Sequence, residues 1–290
     1  MTMTYTVVGA GGFQGGAVVR RLLAEGHRVR GVSRDGRTLP GTEPFAADLL
    51  DAGRLAAAFE GATGASVTLP MLEDPAQAEA MAATLVRAAR SAGLGRVVLN
   101  LGNRVPAVPT RVAVFEGRRA ATETLLGSGL PAVVLRAPVY LDNLLAPWVA
   151  GPLVHQGVLG YPLPADARVS WLSHADLAEA TLAALTVDGV IGQALDIGGP
   201  EALTGPELAA AVGSALGREV VYVAQDVEEF ATGLAHALGP AMAEGVAGTY
   251  RWIAAEDPSL YAESPGTKLL GVEPAPARAW AAAQPWRELA

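Results

Sequence analysis

The chain's 290 residues suffice for one large or two modest domains, and with 51% apolar and 17% charged residues it is globular, not disordered. A net charge of −8 argues against nucleic acid or an anionic membrane as a general partner, so any anion must be caught by a local arrangement. Zero cysteines exclude disulfides, thiolate metal sites and a cysteine nucleophile. No apolar stretch approaches the ~18 residues of a membrane span, and Met1-Thr2-Met3-Thr4 lacks the pattern of a secretory signal, so the expected location is the cytoplasm.

The first element is the most informative. An apolar strand, Tyr5 to Val8, runs into Gly9-Ala10-Gly11-Gly12-Phe13-Gln14-Gly15, and helical apolar spacing (Val18, Val19, Leu22, Leu23) begins directly after it. Gly9, Gly12 and Gly15 are spaced G-x-x-G-x-x-G, which differs from the usual G-x-G-x-x-G dinucleotide fingerprint but serves the same physics. Side chains are absent where the chain turns, where a diphosphate approaches backbone and where helix meets strand. The first amides of the helix over Phe13–Ala24 lack intrahelical partners and point partial positive charge at a phosphate. Gly9, Gly12, Phe13, Gln14 and Gly15 are therefore expected to hold a nucleotide cofactor.

Strand two, Arg28 to Ser33, is followed by Arg34-Asp35-Gly36, the region that flanks the adenosine ribose in such folds. Ser33 and Arg34 suit a 2′-phosphate, whereas Asp35 leaves room for the unphosphorylated cofactor, so the expectation is NADP(H) over NAD(H). Phe45 to Leu49 closes strand three, with Asp48 either facing the adenine or capping the helix after Leu50. Gly64 to Leu69 is a fourth strand, with Thr68 assigned to the cofactor. Pro75 opens an alanine-rich helix to Ala92 that Gly93 stops, and Arg96 to Asn100 is a fifth strand. Strands alternating with helices over short loops predict an α/β protein with a doubly wound parallel sheet.

A helix over Thr110–Leu126 follows, then a strand, Ala132 to Leu135, then Arg136-Ala137-Pro138-Val139-Tyr140-Leu141-Asp142-Asn143-Leu144. With the glycine turn, Ser128-Gly129-Leu130-Pro131, Trp171-Leu172-Ser173-His174-Ala175-Asp176-Leu177-Ala178 and Gly198-Gly199-Pro200-Glu201-Ala202-Leu203-Thr204, this stretch resembles the NmrA-like family of atypical short-chain dehydrogenases/reductases. The resemblance implies a Rossmann-type NAD(P)-binding domain over residues 1–150 and a smaller α/β substrate lobe over 151–290, with the chain crossing between them. It places the substrate cleft between the two, walled in part by Tyr140 to Trp148. The proline-rich tail after Glu256 reads as loops and short helices closing the lobe.

Short-chain dehydrogenases resembling this chain pair a Ser with a Tyr-x-x-x-Lys, and here the pattern departs. The only lysine is Lys268; the family's Lys falls on Arg118, its Tyr on Val114, and Asn100 stands near the Ser. Arg118 can bond ribose hydroxyls and hold positive charge near a developing oxyanion, but guanidinium is no base at neutral pH. Its plain alternative is a solvated arginine beside Arg119. Tyr140, His174 and His155 are the candidate proton donors, and Tyr140 could equally be packing in the cleft wall. Ser173, His174 and Asp176 read as a capping and docking turn, and His155 and His236 as structural or surface residues. No spacing suggests a metal.

The catalytic assignment is thus Arg118, Tyr140 and Asn100, with Tyr140, Asn143, Trp148 and Trp171 toward substrate. Tyr161, Tyr250 and Trp252 are further candidates for an apolar pocket, with core packing as the alternative. The expected activity is NADP(H)-dependent reduction of a small, largely apolar acceptor (a quinone, enone or aromatic ketone) by hydride transfer. The alternatives are a non-catalytic NAD(P)-sensing regulator and a lyase, isomerase or cyclase on the same fold. No nucleic acid or membrane partner is expected, and the reading leaves room for a homodimer.

Overall fold

The computed structural model describes residues 1–72 and 74–289, those at 238 and 287 by backbone alone. In chain order its first half runs β1 (Thr4–Val8), α1 (Phe13–Ala24), β2 (Arg28–Ser33), β3 (Glu43–Ala46), α2 (Ala52–Phe59), β4 (Gly64–Thr68), α3 (Pro75–Ser91), β5 (Val97–Asn100), α4 (Ala113–Leu126) and β6 (Ala132–Arg136). The second half runs α5 (Pro147–Gln156), β7 (Val158–Tyr161), α6 (His174–Thr186), β8 (Ala194–Asp196), α7 (Gly205–Leu216), β9 (Val221–Ala224), α8 (Val227–Leu238), α9 (Pro240–Glu256), α10 (Pro265–Leu269) and α11 (Ala277–Ala282).

Among the described residues, seven parallel strands form one sheet in the order β3-β2-β1-β4-β5-β6-β8. This is the Rossmann-type doubly wound sheet that the alternation of elements implied. Its central strands β5 and β6 are largely apolar because both faces are covered, whereas the edge strand β3 is mostly exposed. Val97, Leu99 and Val134 pack under α2, α3 and α4 with Leu55, Phe59, Leu85 and Leu125. Val98, Val133 and Leu135 turn the other way, onto α1 and α6 with Val18, Leu22, Leu177 and Ala184. Strand order reverses between β1 and β4, so the crevice for a ligand opens at their carboxyl ends.

A third core belongs to a smaller lobe, in which β7 and β9 form a parallel pair and α5, α7, α8, α9 and α11 close around Leu153, Tyr161, Trp171, Leu208 and Tyr250. Between β7 and β9 the chain returns to the sheet. There α6 lies on α1, β8 joins β6, and Arg136 donates to Asp196 Oδ2 at 2.8 Å. The buried Arg104, just after β5, donates to Leu260 O, Ser170 Oγ, Ile197 O and Ser264 Oγ, tying the sheet's rim to the lobe and the tail.

Two boundaries differ from the sequence reading by three residues, the others by one at most. Strand three ends at Ala46, not Leu49, because β3 has only β2 as partner and Asp48 makes a turn instead, its Oδ1 accepting from Leu50 N at 2.8 Å. The helix expected from Thr110 begins at Ala113, because Thr110 N and Oγ1 both donate to Glu116 Oε1 (2.7 and 2.8 Å) and hold the chain in a turn ahead of it. Among the described residues no cluster of side chains could hold a metal, and no helix is long and apolar enough to cross a membrane.

Candidate functional site

The glycine turn between β1 and α1 is built for close approach. Gly9 sits at φ 87° in the left-handed region, with its N–H on Val32 O, and a Cβ on Gly15 would lie 2.2 Å from Gly9 O. Helix α1 therefore rests directly on the turn. Its N-cap is Gly12, which supplies no side-chain acceptor, and its first turn carries no acid. The opening amides are left facing a groove of about 1170 Å³ that Gly9, Gly11, Gly12, Ser33, Arg34, Asp48 and Thr68 help to line. An uncapped helix N-terminus beside a glycine turn suits a diphosphate, so the residues fit a dinucleotide. Gly15 is buried under the turn, and Phe13 stands 87% exposed outside the groove, stacked over His174 with ring centroids 6.4 Å apart.

At the ribose end, the loop after β2 adds a residue that the sequence reading passed over. Arg37 lines the groove with Arg34, and its N–H and guanidinium bind Asp35 at 3.1 and 2.6 Å, holding the Asp35 carboxyl at about 2. Ser33 Oγ lies 2.7 Å from Arg37 O and 3.1 Å from Asp35 Oδ1. Asp35 is thus engaged within its own loop, and two guanidinium groups flank the groove. The turn from Arg34 through Asp35 to Arg37 was the available signal. Asp48 lines the groove from its turn, while Asp51 caps the following helix through Arg54 N at 2.9 Å.

A second hollow shares one lining residue, Met71, with the groove. This hollow, about 340 Å³, lies between the sheet's carboxyl edge and the lobe, and among the described residues no charged side chain lines it. Tyr140, Asn143 and Trp148, assigned toward substrate, line it, and so does Gln14, which the sequence reading assigns to the cofactor and which does not line the groove; Asn103, Phe230, Leu234, Thr249, Tyr250 and Tyr261 come from the loop after β5, from α8 and α9, and from the tail. Asn100 ends β5 and organises the sheet side. Its Nδ2 donates to Gln14 Oε1 at 2.7 Å and lies 3.5 Å from Tyr140 Oη, and its Oδ1 accepts Gly102 N at 3.0 Å. Tyr140 Oη donates to nothing among the described residues, and burial pushes its phenol above the ordinary value. Tyr261 Oη donates to Asn103 Oδ1 at 2.6 Å.

Three residues expected at the substrate pocket or as catalytic stand elsewhere. Trp171 lines neither hollow; it packs edge-on behind Tyr161 with centroids 5.1 Å apart, in the lobe's core. Trp252 packs edge-on against Phe115 at 5.5 Å, at the cleft between α4 and α9. Arg118 is buried behind the wall and not on it. Its Nε donates to Leu101 O at 2.8 Å and its Nη1 to Val114 O at 3.2 Å, with no carboxylate partner among the described residues. Burial pushes its guanidinium down to about 10, which leaves it charged at neutral pH, and that charge opposes the upward push on Tyr140.

His174 belongs to the capping turn at the start of α6. Ser173 Oγ accepts Asp176 N at 3.0 Å, His174 N donates to Asp142 Oδ2 at 2.8 Å, and the His174 ring packs against Tyr140 at 4.6 Å. Against the push of burial, His174 holds the Asp142 carboxyl below the usual range. His155 and His236 are exposed on α5 and α8.

Comparison with known proteins agrees with this fold. Residues 1–257 match the model of the NmrA-like family. An NAD(P)H azoreductase of Xenophilus azovorans is 30% identical over 272 residues, covering 92% of this chain and 89% of that protein. Among solved structures, Citrobacter sp. triphenylmethane reductase complexed with NADP(H) superposes with a TM-score of 0.77 at 21% identity, over 96% of this chain and 98% of the other. An NADPH-dependent quinone oxidoreductase of Escherichia coli complexed with NADPH gives 0.75 at 21% identity, with the same coverage. Taken with the glycine turn and the split architecture, the match over most of the chain's length establishes that the protein belongs to the NmrA-like family.

Proposed function

We propose that the protein is an NADPH-dependent reductase of small, uncharged, largely apolar acceptors such as quinones, enones or aromatic ketones. The observation that carries this reading is the hollow itself: largely apolar, with no charged side chain among the described residues that line it, sharing Met71 with the nucleotide groove, and furnished with the unspent Tyr140 hydroxyl. The azoreductase relative is named for NAD(P)H, and two structural neighbours for NADP(H) or NADPH, which supports the cofactor class.

A reduced nicotinamide cofactor held by the glycine turn, Arg34 and Arg37 would supply a hydride, which together with one proton would reduce the acceptor by two electrons. The chain's own part is placement and proton supply. Asn100 and Gln14 fix each other at the mouth of the hollow, and Tyr140 Oη offers its proton to the acceptor's oxygen. The buried Arg118 charge stabilises negative charge developing on that oxygen and eases proton loss from Tyr140. Arg118 acts through the wall, as a positioning and electrostatic residue.

The test is NADPH oxidation against a panel of quinones, enones and aromatic ketones; absence of turnover across the panel despite tight NADPH binding would overturn the reading. Within it, Tyr140→Phe should lower kcat for an aromatic ketone by about 10²-fold, because an alkoxide needs a matched proton donor. For a quinone the loss should stay under about tenfold, since the reduced anion accepts solvent protons. Equal losses for both acceptors would remove Tyr140 from the proton path.

For the cofactor's extra phosphate, Arg34 and Arg37 are the ligands we assign. Arg34→Ala with Arg37→Ala should weaken NADPH by about 10–100-fold, on the scale of two charge-assisted hydrogen bonds partly exposed to water. NADH affinity should move by less than about threefold. Calorimetry with both nucleotides checks this, and parallel loss of both would cancel the assignment.

A further inference from the structure

The lobe side of the hollow carries hydrogen-bonding capacity that the proposed chemistry does not use. Asn143 Nδ2 donates to Tyr161 Oη at 3.1 Å, and the hydroxyls of Tyr161 and Tyr250 lie 2.9 Å apart. One hydrogen bond between two hydroxyls uses one proton. The amide of Asn143 donates into the pair, so it takes up no hydroxyl proton. No other acceptor lies within bonding distance of either hydroxyl among the described residues. If Tyr161 donates, the Tyr250 proton is left over; if Tyr250 donates, the Tyr161 proton is. In both cases one phenolic O–H is unspent, on side chains only 3% and 6% exposed that line the hollow. A buried donor without an acceptor is unfavourable until a ligand supplies one.

Tyr140 gives the same count on the opposite wall, where its hydroxyl faces Asn100 as an acceptor only. Tyr140 belongs to the core beneath the sheet, whereas Tyr161 and Tyr250 belong to the core of the lobe. The hollow thus presents one free donor from each of two walls, with Val139, Val149, Phe230 and Leu234 among the apolar residues around them. Burial raises the phenols of Tyr161 and Tyr250 as well, so both stay protonated donors through the neutral range.

We infer that the Tyr161–Tyr250 hydroxyl pair, steadied by Asn143, is a second substrate subsite that selects neutral aromatic acceptors bearing a hydrogen-bond acceptor at each end, such as para-diones. The inference rests on the reductase reading, because Tyr140 takes the oxygen to be reduced and the lobe pair takes the distal one. A mono-ketone leaves the lobe donor unsatisfied. A charged substituent finds no counter-ion among the described residues of the lining.

Binding measured without turnover tests the subsite separately from the activity. In the NADP⁺ complex no hydride is available, and the absence of cysteine removes thiol addition to a quinone as a complication. Calorimetry compares 1,4-naphthoquinone with 1-tetralone, which keeps the bicyclic skeleton and one carbonyl. The wild-type protein should prefer the dione by about tenfold or more, and Tyr161→Phe with Tyr250→Phe should reduce the preference below about threefold. NADP⁺ affinity, set in the groove where neither tyrosine stands, reports that the variant is folded; if it is lost, Tyr250→Phe alone carries the same comparison. A preference that survives loss of the hydroxyls overturns the subsite even where NADPH oxidation proceeds. A preference that disappears with them, in a protein that oxidises no NADPH with any acceptor, upholds the subsite and overturns the reductase.

Discussion

Gly15→Ala is expected to weaken NADPH binding by at least about a hundredfold, while Gly16→Ala, one residue on, leaves it within about threefold. The contrast comes from what each added methyl group meets. At Gly15 the Cβ would sit 2.2 Å from Gly9 O and 2.7 Å from Gly9 C, both backbone atoms of the turn. No side-chain rotation relieves such a contact, so helix α1 must lift or the turn must open. Either movement displaces the amides that face the diphosphate. At Gly16 the nearest atoms are Arg20 Nη1 and Leu39 Cδ1, both at 3.5 Å, an ordinary contact with side chains that can shift.

A hundredfold loss corresponds to about 2.7 kcal/mol of binding free energy. Overpacking of this kind also costs about 1–3 kcal/mol of stability. Gly16→Ala should fall within about 1 kcal/mol of wild type, since the helical preference for alanine offsets crowding. Calorimetry for NADPH and thermal unfolding measure both quantities. If the two variants behaved alike, the close approach of helix and turn would not be what shapes the phosphate site.

The glycine turn was legible because its signal is local: a strand, three spaced glycines and a helix adjoin in sequence, and nothing distant has to be known. The paired faces of the sheet were legible for the same reason, through runs such as Val97 to Leu99. The substrate hollow was legible only on its near wall. Tyr140, Asn143 and Trp148 lie within nine residues of one another after β6. The far wall is assembled from α8, α9 and the tail, and packing alone decides which face of those helices looks inward. Phe230 and Leu234, one helical turn apart, line the hollow, whereas Trp171, a larger aromatic inside a family-like motif, is walled off behind Tyr161. Arg118 was singled out by the family resemblance, as the residue standing where the family has its Lys, but no alignment reveals that its guanidinium turns onto Leu101 O and Val114 O.

That orientation leads to the second large effect. Arg118→Met should leave the protein as stable as wild type, or more so, while lowering kcat by about 10²-fold. A buried cation without a carboxylate partner is a poor structural device: its desolvation costs several kcal/mol, and two carbonyl hydrogen bonds offset only part of that. Methionine fills much of the same volume without the charge. What is lost is one donor to Leu101 O, about 1–3 kcal/mol for a carbonyl left unsatisfied, against the desolvation relieved. Val114 O keeps its place in helix α4. Activity follows the charge. Without it Tyr140 becomes a weaker acid and negative charge on the acceptor oxygen goes unstabilised, a loss comparable to removing one preorganised donor from an oxyanion site, about 10²–10³-fold. Cofactor affinity and KM should both stay within about threefold, because Arg118 lines neither the groove nor the hollow. Arg118→Lys keeps the charge but lacks the planar fork, and should recover kcat to within about tenfold of wild type. A structural bolt would behave in the opposite way. If Arg118→Met melted well below wild type while turning over normally, the buried guanidinium would be holding the loop after β5 and contributing nothing to the chemistry.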